Sequence, residues 1–354
     1  MRTVVSFLGF VSFLAFASQS PVIQKLPEPP VRTINLEREL LLQDEGSQGR
    51  PIFFNISTFR VDEDRNLYIL DTKGKKISKF SKEGRLLYSV GTQGKGPGEL
   101  LLPIILELGY KGTILVYDAA NRRIVYFARD DGRIVEELST ARYPRIIRLD
   151  DDEEGSFYAF IKIYEAQNQS YVLRKLDHQL NQVNDLFVIK EKLTEDVNPY
   201  PPSIFFRILP MNQVLFGDNR DYRLNVADPK GDVIKIIQVK ASPLRFRESE
   251  KKEILEGYSS GPNPPNLVFP AFYPLVDHVI TDSAGTILVR TYKRDSKGNT
   301  FYNMFNLAGK PIASFSTSTN IHCISGDRMY CLEENKEGYQ QISIYRYRFA
   351  GNRR

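Results

Sequence analysis

Charged side chains set inside apolar runs are the residues of this chain with the most capacity for chemistry. Arg60 sits in STFRV, Glu107 in IILELG, Arg148 in RIIRL and Arg207 in FFRIL. Arg60, Glu107 and Arg207 share a spacing, each preceding an aspartate (Asp71, Asp118, Asp218) by 11 residues. Such charges are costly unless they are paired or wet. Three arginines against one glutamate suit an anionic ligand, because a guanidinium grips carboxylate or phosphate through paired N–H donors. A ring of structural ion pairs is the alternative. Asp277 and His278, in VDHV, join the same candidate ligand-binding set, with a structural role favoured for the histidine.

Other chemical signatures are incomplete. The three histidines, His178, His278 and His322, form no HxH or HxxxH pair of the kind that holds a metal. Residues 150–154 (DDEEG begins at 151) are acidic but lack the D-x-D-x-D-G spacing that wraps Ca²⁺, so they read as a solvated loop. The glycines of GTQGKGPGEL, residues 91–100, follow no βαβ unit and open no helix, so the means of cradling phosphate is missing. No G-x-S-x-G elbow is present. The sequence therefore predicts no catalytic residue and no metal ligand. The only cysteines are Cys323 and Cys331, in a strand–turn–strand segment. A three-residue loop, Gly326-Asp327-Arg328, would place them opposite one another, and a disulfide is then the favoured reading in an oxidising compartment.

The elements that must hold these residues are short strands. Residues 67–71, 77–80 and 86–90 alternate with polar turns around Gly74 and Gly84, which signals an antiparallel meander. The pattern recurs: ILVYD (114–118) matches LYILD (67–71) at a distance of 47 residues, and VLFGD (214–218) follows 100 residues later. Meanders repeated every 40–50 residues indicate a β-propeller, whose blades have two apolar faces and need neighbours to cover both. Six blades fit the length. The expected fold is all-β, a six-bladed β-propeller of four-stranded antiparallel blades. Residues 31–42 read either as a short helix or as a strand that closes the ring by joining the last blade and removing its open edge, and the strand is favoured over Val31–Leu36.

LYILDTKGKKISKFSKEGRLLYSVGTQGKGPGEL followed by ILVYDAANRRIVYFARDDGRIV resembles the NHL-repeat type of six-bladed propeller. The resemblance is carried by the strand ending in Asp, the Asn121-Arg122-Arg123 turn, the Asp131-Gly132-Arg133 turn and GKGPGEL between blades, over residues 67–137. It implies the fold, and it implies several functions: some members are protein- or RNA-binding platforms, others lyases or lactonases with a metal in the channel. No matching His/Glu/Asn/Asp ligand set stands in this sequence.

The chain has 48 Lys and Arg against 43 Asp and Glu, a net charge of +5 with the signs interspersed, which speaks against a nucleic-acid footprint. Arg2, the apolar run 4–16 and Ala15-Phe16-Ala17 have the form of a cleaved signal peptide over residues 1–17. The run is too short to span a bilayer, and no later segment is long enough. A proline-rich lead follows over 18–30, then the propeller over 31–349. Within it, 242–269 form an inserted helix and flap loop, read either as a cover over one face or as a plain insertion between blades.

The expected protein is periplasmic or secreted, monomeric and non-catalytic, and binds a protein or an anionic small molecule or saccharide. No cofactor is predicted. The alternative is a metal-dependent hydrolase or lyase sited in the channel, which would bring Ca²⁺ or Zn²⁺.

Overall fold

Why the chain closes into a ring is visible in where its apolar side chains go. Residues of the short strands alternate between two faces, and in this chain both faces are apolar. Leu67–Asp71 and Thr113–Asp118 are buried along their whole length. A sheet like this is stable only when sandwiched. In the computed structural model, which describes residues 20–42, 53–143, 145–258 and 265–350, six sheets stack side by side. The buried apolar residues fall into six clusters, one at each junction between neighbouring blades. Phe59 and Ile69 of blade one meet Tyr330 and Ile344 of blade six, and Tyr68 and Leu70 on the other face meet Leu106 and Val116 of blade two. The expected signal peptide, residues 1–17, lies outside the described residues, as do residues 259–264 of the expected flap.

The innermost strands of blades one to six are Ile56–Val61, Pro103–Gly109, Ile146–Asp151, Ile204–Leu209, His278–Thr281 and Ile321–Ser325. The blade aspartates anchor them. Asp71 accepts the backbone N–H groups of Phe54 and Asn55, at 2.8 and 3.0 Å, and Asp118 accepts those of Leu101 and Leu102, at 3.0 and 2.7 Å. In blade four Asn219 takes over this task, accepting from Ser203 N at 3.0 Å. The glycine loop is fixed by the next blade's turn: Arg123 donates to Gly96 O and Glu99 O, and Asn121 to Gly94 O. At Gly91, with φ +90°, a Cβ would lie 2.9 Å from the Lys75 carbonyl oxygen, so the crossing there needs glycine.

Ring closure takes the predicted form and adds to it. Ile34–Leu42 pairs antiparallel with Gln340–Phe349 and completes blade six. The lead before it is not merely extended. Val22–Pro27 pairs in parallel with Val233–Lys240, so blade four has five strands rather than four. Pro30 and Arg32 then bond Ser314 at the outer strand of blade five. One N-terminal strap thus crosses the outer edges of blades four, five and six.

Two expectations are corrected. The disulfide is absent: Cys323 and Cys331 are both free and buried. The loop between their strands holds two residues, Gly326 and Asp327, because Ser325 already pairs with Arg328. This moves the register by one, so Cys323 faces Tyr330, and a bulge then sets Ile321 opposite Cys331. A one-residue slip sends side chains to opposite faces. Cys323 packs at the junction of blades six and one, Cys331 at that of blades five and six. The acidic run is likewise not a solvated loop. Asp151 and Asp152 are buried, Asp151 accepting from Tyr126 Oη at 2.8 Å and Asp152 from the Ser156 N–H at 2.9 Å.

The insertion carries the predicted helix, Glu248–Tyr258. Its flanks are tied to the blade four–five junction by aromatic packing. Phe246 lies 3.7 Å from Tyr273 and 5.1 Å from Tyr200, centroid to centroid. Leu267 forms a parallel bridge with Val197, in the connection leading to blade four.

Candidate functional site: the arginine-lined mouth of the channel

The blade repeat brings the spaced charges together. Arg60, Glu107 and Arg207 face Tyr68, Leu115 and Leu215 on their neighbouring strands, each three residues before the blade aspartate. Arg148 faces Phe160 in blade three. All four line one cavity of about 420 Å³ at the mouth of the channel where the inner strands begin. His278, His322, Asp150 and Cys323 line it too. Asp277 does not; its carboxylate takes an N–H from Arg290, whose Nη1 also donates to Asn320 at 2.7 Å.

Four inner strands begin with a bulge. In blades one, two, three and six the ladder gains an extra residue at Ser57, Ile104, Ile147 and His322. Bulges re-aim side chains, and all four extra residues line the mouth cavity.

Arg60 and Glu107 form a buried two-pronged ion pair. Burial works against the charge of each. The partner outweighs it, so the Arg60 value is raised and the Glu107 value lowered. Arg60 also donates to Thr58 Oγ1 and Phe59 O, at 2.9 and 2.8 Å. Arg207 spends its donors differently. Nη1 goes to Phe206 O at 2.9 Å and Nη2 to His278 Nε2 at 3.0 Å. A guanidinium only donates, so His278 accepts at Nε2 and is neutral. Burial followed by Arg207 and Arg148 pushes its pKa well down. His322 is also neutral: burial and then Arg60 bring it to about 3.

Arg148 stands apart. Its guanidinium has no hydrogen bond or ion pair among the described residues, although it lines the cavity. Burial and the Arg60 charge lower its pKa, against the pull of Glu107 and Asp150. Arg207 is lowered further by burial and Arg148. Arginine does not give up its proton in proteins, so these shifts express burial first and the crowding of positive charge after it. Asp150 is pushed well up by burial, then by Glu107 and Asp151.

The structure thus gathers Arg60, Glu107, Arg148, Arg207 and His278, and leaves out Asp277. Asp150 and His322 were missed as site residues. Asp150 was hidden in an acidic run, and a bulge leaves no mark in the strand pattern. Among the described residues, no group of three or more His, Cys, Asp or Glu is placed to hold a metal ion.

Comparison with known proteins bears on the fold. Residues 50–202 match the DUF5128 family model, described as a 6-bladed beta-propeller. Over 92 residues the chain is 29% identical to NHL repeat-containing protein 3 of Homo sapiens. This chain is a six-bladed β-propeller, similar to NHL-repeat proteins over part of its length. The match covers 25% of this propeller and 26% of the human protein; with the Mus musculus protein it covers 30% and 33%. The chain therefore spans a quarter to a third of the length of the curated relatives it matches. A Bacteroides fragilis protein described as exported superposes with TM-score 0.61 at 12% identity, covering 93% of this chain and 99% of that one. A Bacteroides vulgatus member of the DUF4221 family gives 0.55 at 12% identity, covering 90% and 99%. At that identity the likeness is one of fold. No helix among the described residues is long and apolar enough to cross a membrane.

Proposed function

We propose that this propeller is an exported, non-catalytic binding protein that takes an anionic group into the mouth of its channel. The observation that carries the reading is Arg148: a guanidinium without a protein partner, lining the same cavity as Arg207. Unpaired charge in a partly enclosed site is costly, and an anion across the two arginines would remove the cost. A volume of about 420 Å³ falls within the size of small-ligand sites. Export rests on the signal-like composition of residues 1–17 and accords with the description of the Bacteroides fragilis protein of like fold.

Calorimetric titration with acetate, phosphate and sulfate tests the reading. Binding should weaken by about tenfold or more in Arg148→Gln, as expected for a lost charge-assisted pair. Anions that bind the wild type and Arg148→Gln equally would exclude this site. The reading needs no metal, so EDTA should leave the melting temperature unchanged. A drop reversed by Ca²⁺ or Zn²⁺ would instead support a metal-dependent hydrolase or lyase in the channel.

A further inference from the structure

The rim of the arginine cavity is asymmetric. Of the four bulge residues that line it, Ser57 and His322 are committed to the wall: Ser57 Oγ donates to Leu70 O at 3.3 Å, and His322 Nε2 lies 3.1 Å from Thr58 Oγ1. Ile104 and Ile147 are the other two. They come from adjacent blades, two and three, and each is 40% exposed. A bulge that turns an isoleucine out of the blade sandwich gives up burial worth having. Its counterparts in blades one and six are polar, so the bulge itself does not demand an apolar residue.

The inner strands run from this mouth toward the waist of the channel, where Arg60, Glu107 and Asp150 border both the mouth cavity and the one beyond it. Ile104 and Ile147 therefore come before the charged residues on their strands, and Ile147 is the immediate neighbour of Arg148. Ile204 and Ile280 add apolar wall.

We propose that the ligand is an organic carboxylate with an apolar body, its carboxylate held by Arg148 and Arg207 and its hydrocarbon lying over Ile104 and Ile147. The inference rests on the anion-binding reading and narrows it: an inorganic anion would use the arginines and leave the isoleucines bare.

The test is calorimetric titration of the mature chain with acetate, butanoate, hexanoate and hexan-1-ol. Affinity should rise about fourfold per added methylene, the value of burying one CH₂, and hexan-1-ol should bind far more weakly than hexanoate. The double variant Ile104→Ser/Ile147→Ser should flatten the series, so that hexanoate loses its advantage over acetate. If that variant does not fold, Ile147→Thr, which keeps the β-branch, should reduce the chain-length dependence alone. Acetate and hexanoate binding equally to the wild type would overturn the apolar site and leave the anion site standing. Hexan-1-ol matching hexanoate, or no binding by any of the four, would overturn both.

Discussion

At the scale of single residues, the channel uses two kinds of arginine. Arg60 is structural: it shares two bonds with the buried Glu107. Removing it strands a buried carboxylate, so Arg60→Met should destabilise the fold by about 3 kcal/mol or more in urea unfolding. Arg60→Met/Glu107→Leu should recover most of that, because a buried pair replaced by apolar groups is close to neutral. His322 makes a second case. Its folded value, about 3, lies below the ordinary 6.5. Between those values the unfolded chain binds a proton that the folded chain refuses. The stabilising contribution is full above pH 6.5 and is lost as pH falls toward 3. Between pH 6.5 and 5, wild type should therefore lose up to about 2 kcal/mol more than His322→Gln. Asp151, raised to about 6 chiefly by burial, acts in the opposite sense. Taking the difference between wild type and variant removes its contribution.

At the scale of elements, register decides what a side chain can do. The Gly326-Asp327 turn puts the two thiols on opposite faces of blade six. Burial raises Cys323 to about 11 and Cys331 to about 12, so neither is a ready thiolate. Both should resist a thiol reagent in the native protein and react after unfolding, and a reductant should not shift the melting temperature. Two reactive thiols in the native wild type would contradict this burial. The N-terminal strap offers a graded test. Ile34–Leu42 covers the outer strand of blade six and packs Leu42 into the junction with blade one. Val22–Pro27 adds only an outer fifth strand, with Val22 and Ile23 exposed. Removing residues 18–30 should lower the melting temperature less than removing 18–42, and equal losses would show that the ring does not depend on the closing strand.

At the scale of the whole molecule, each blade is stabilised by its neighbours, and a defect at one junction is felt by the ring. Phe216→Ala, at the junction of blades three and four, should cost about 3–5 kcal/mol. The repeat, the six blades and the closing strand could be read from the sequence because they depend on local signals: strand-length apolar runs, Gly and Asp turns, and the recurring aspartate. The same repeat placed Arg60, Glu107 and Arg207 round one channel, since equivalent positions in a closed ring must face one axis, and Arg148 follows from its likeness to them in an apolar run. Other features depended on pairing across strands. A two-residue turn separated Cys323 from Cys331, four bulges brought Ser57, Ile104, Ile147 and His322 to the rim, and Arg290 held Asp277 off the cavity. Sequence by itself determined the repeat and the equivalence of positions, because both are properties of the chain taken in order. Only the tertiary structure decided register and which charges found partners, because a shift of one residue costs little in local preference yet reverses the face on which every side chain lies.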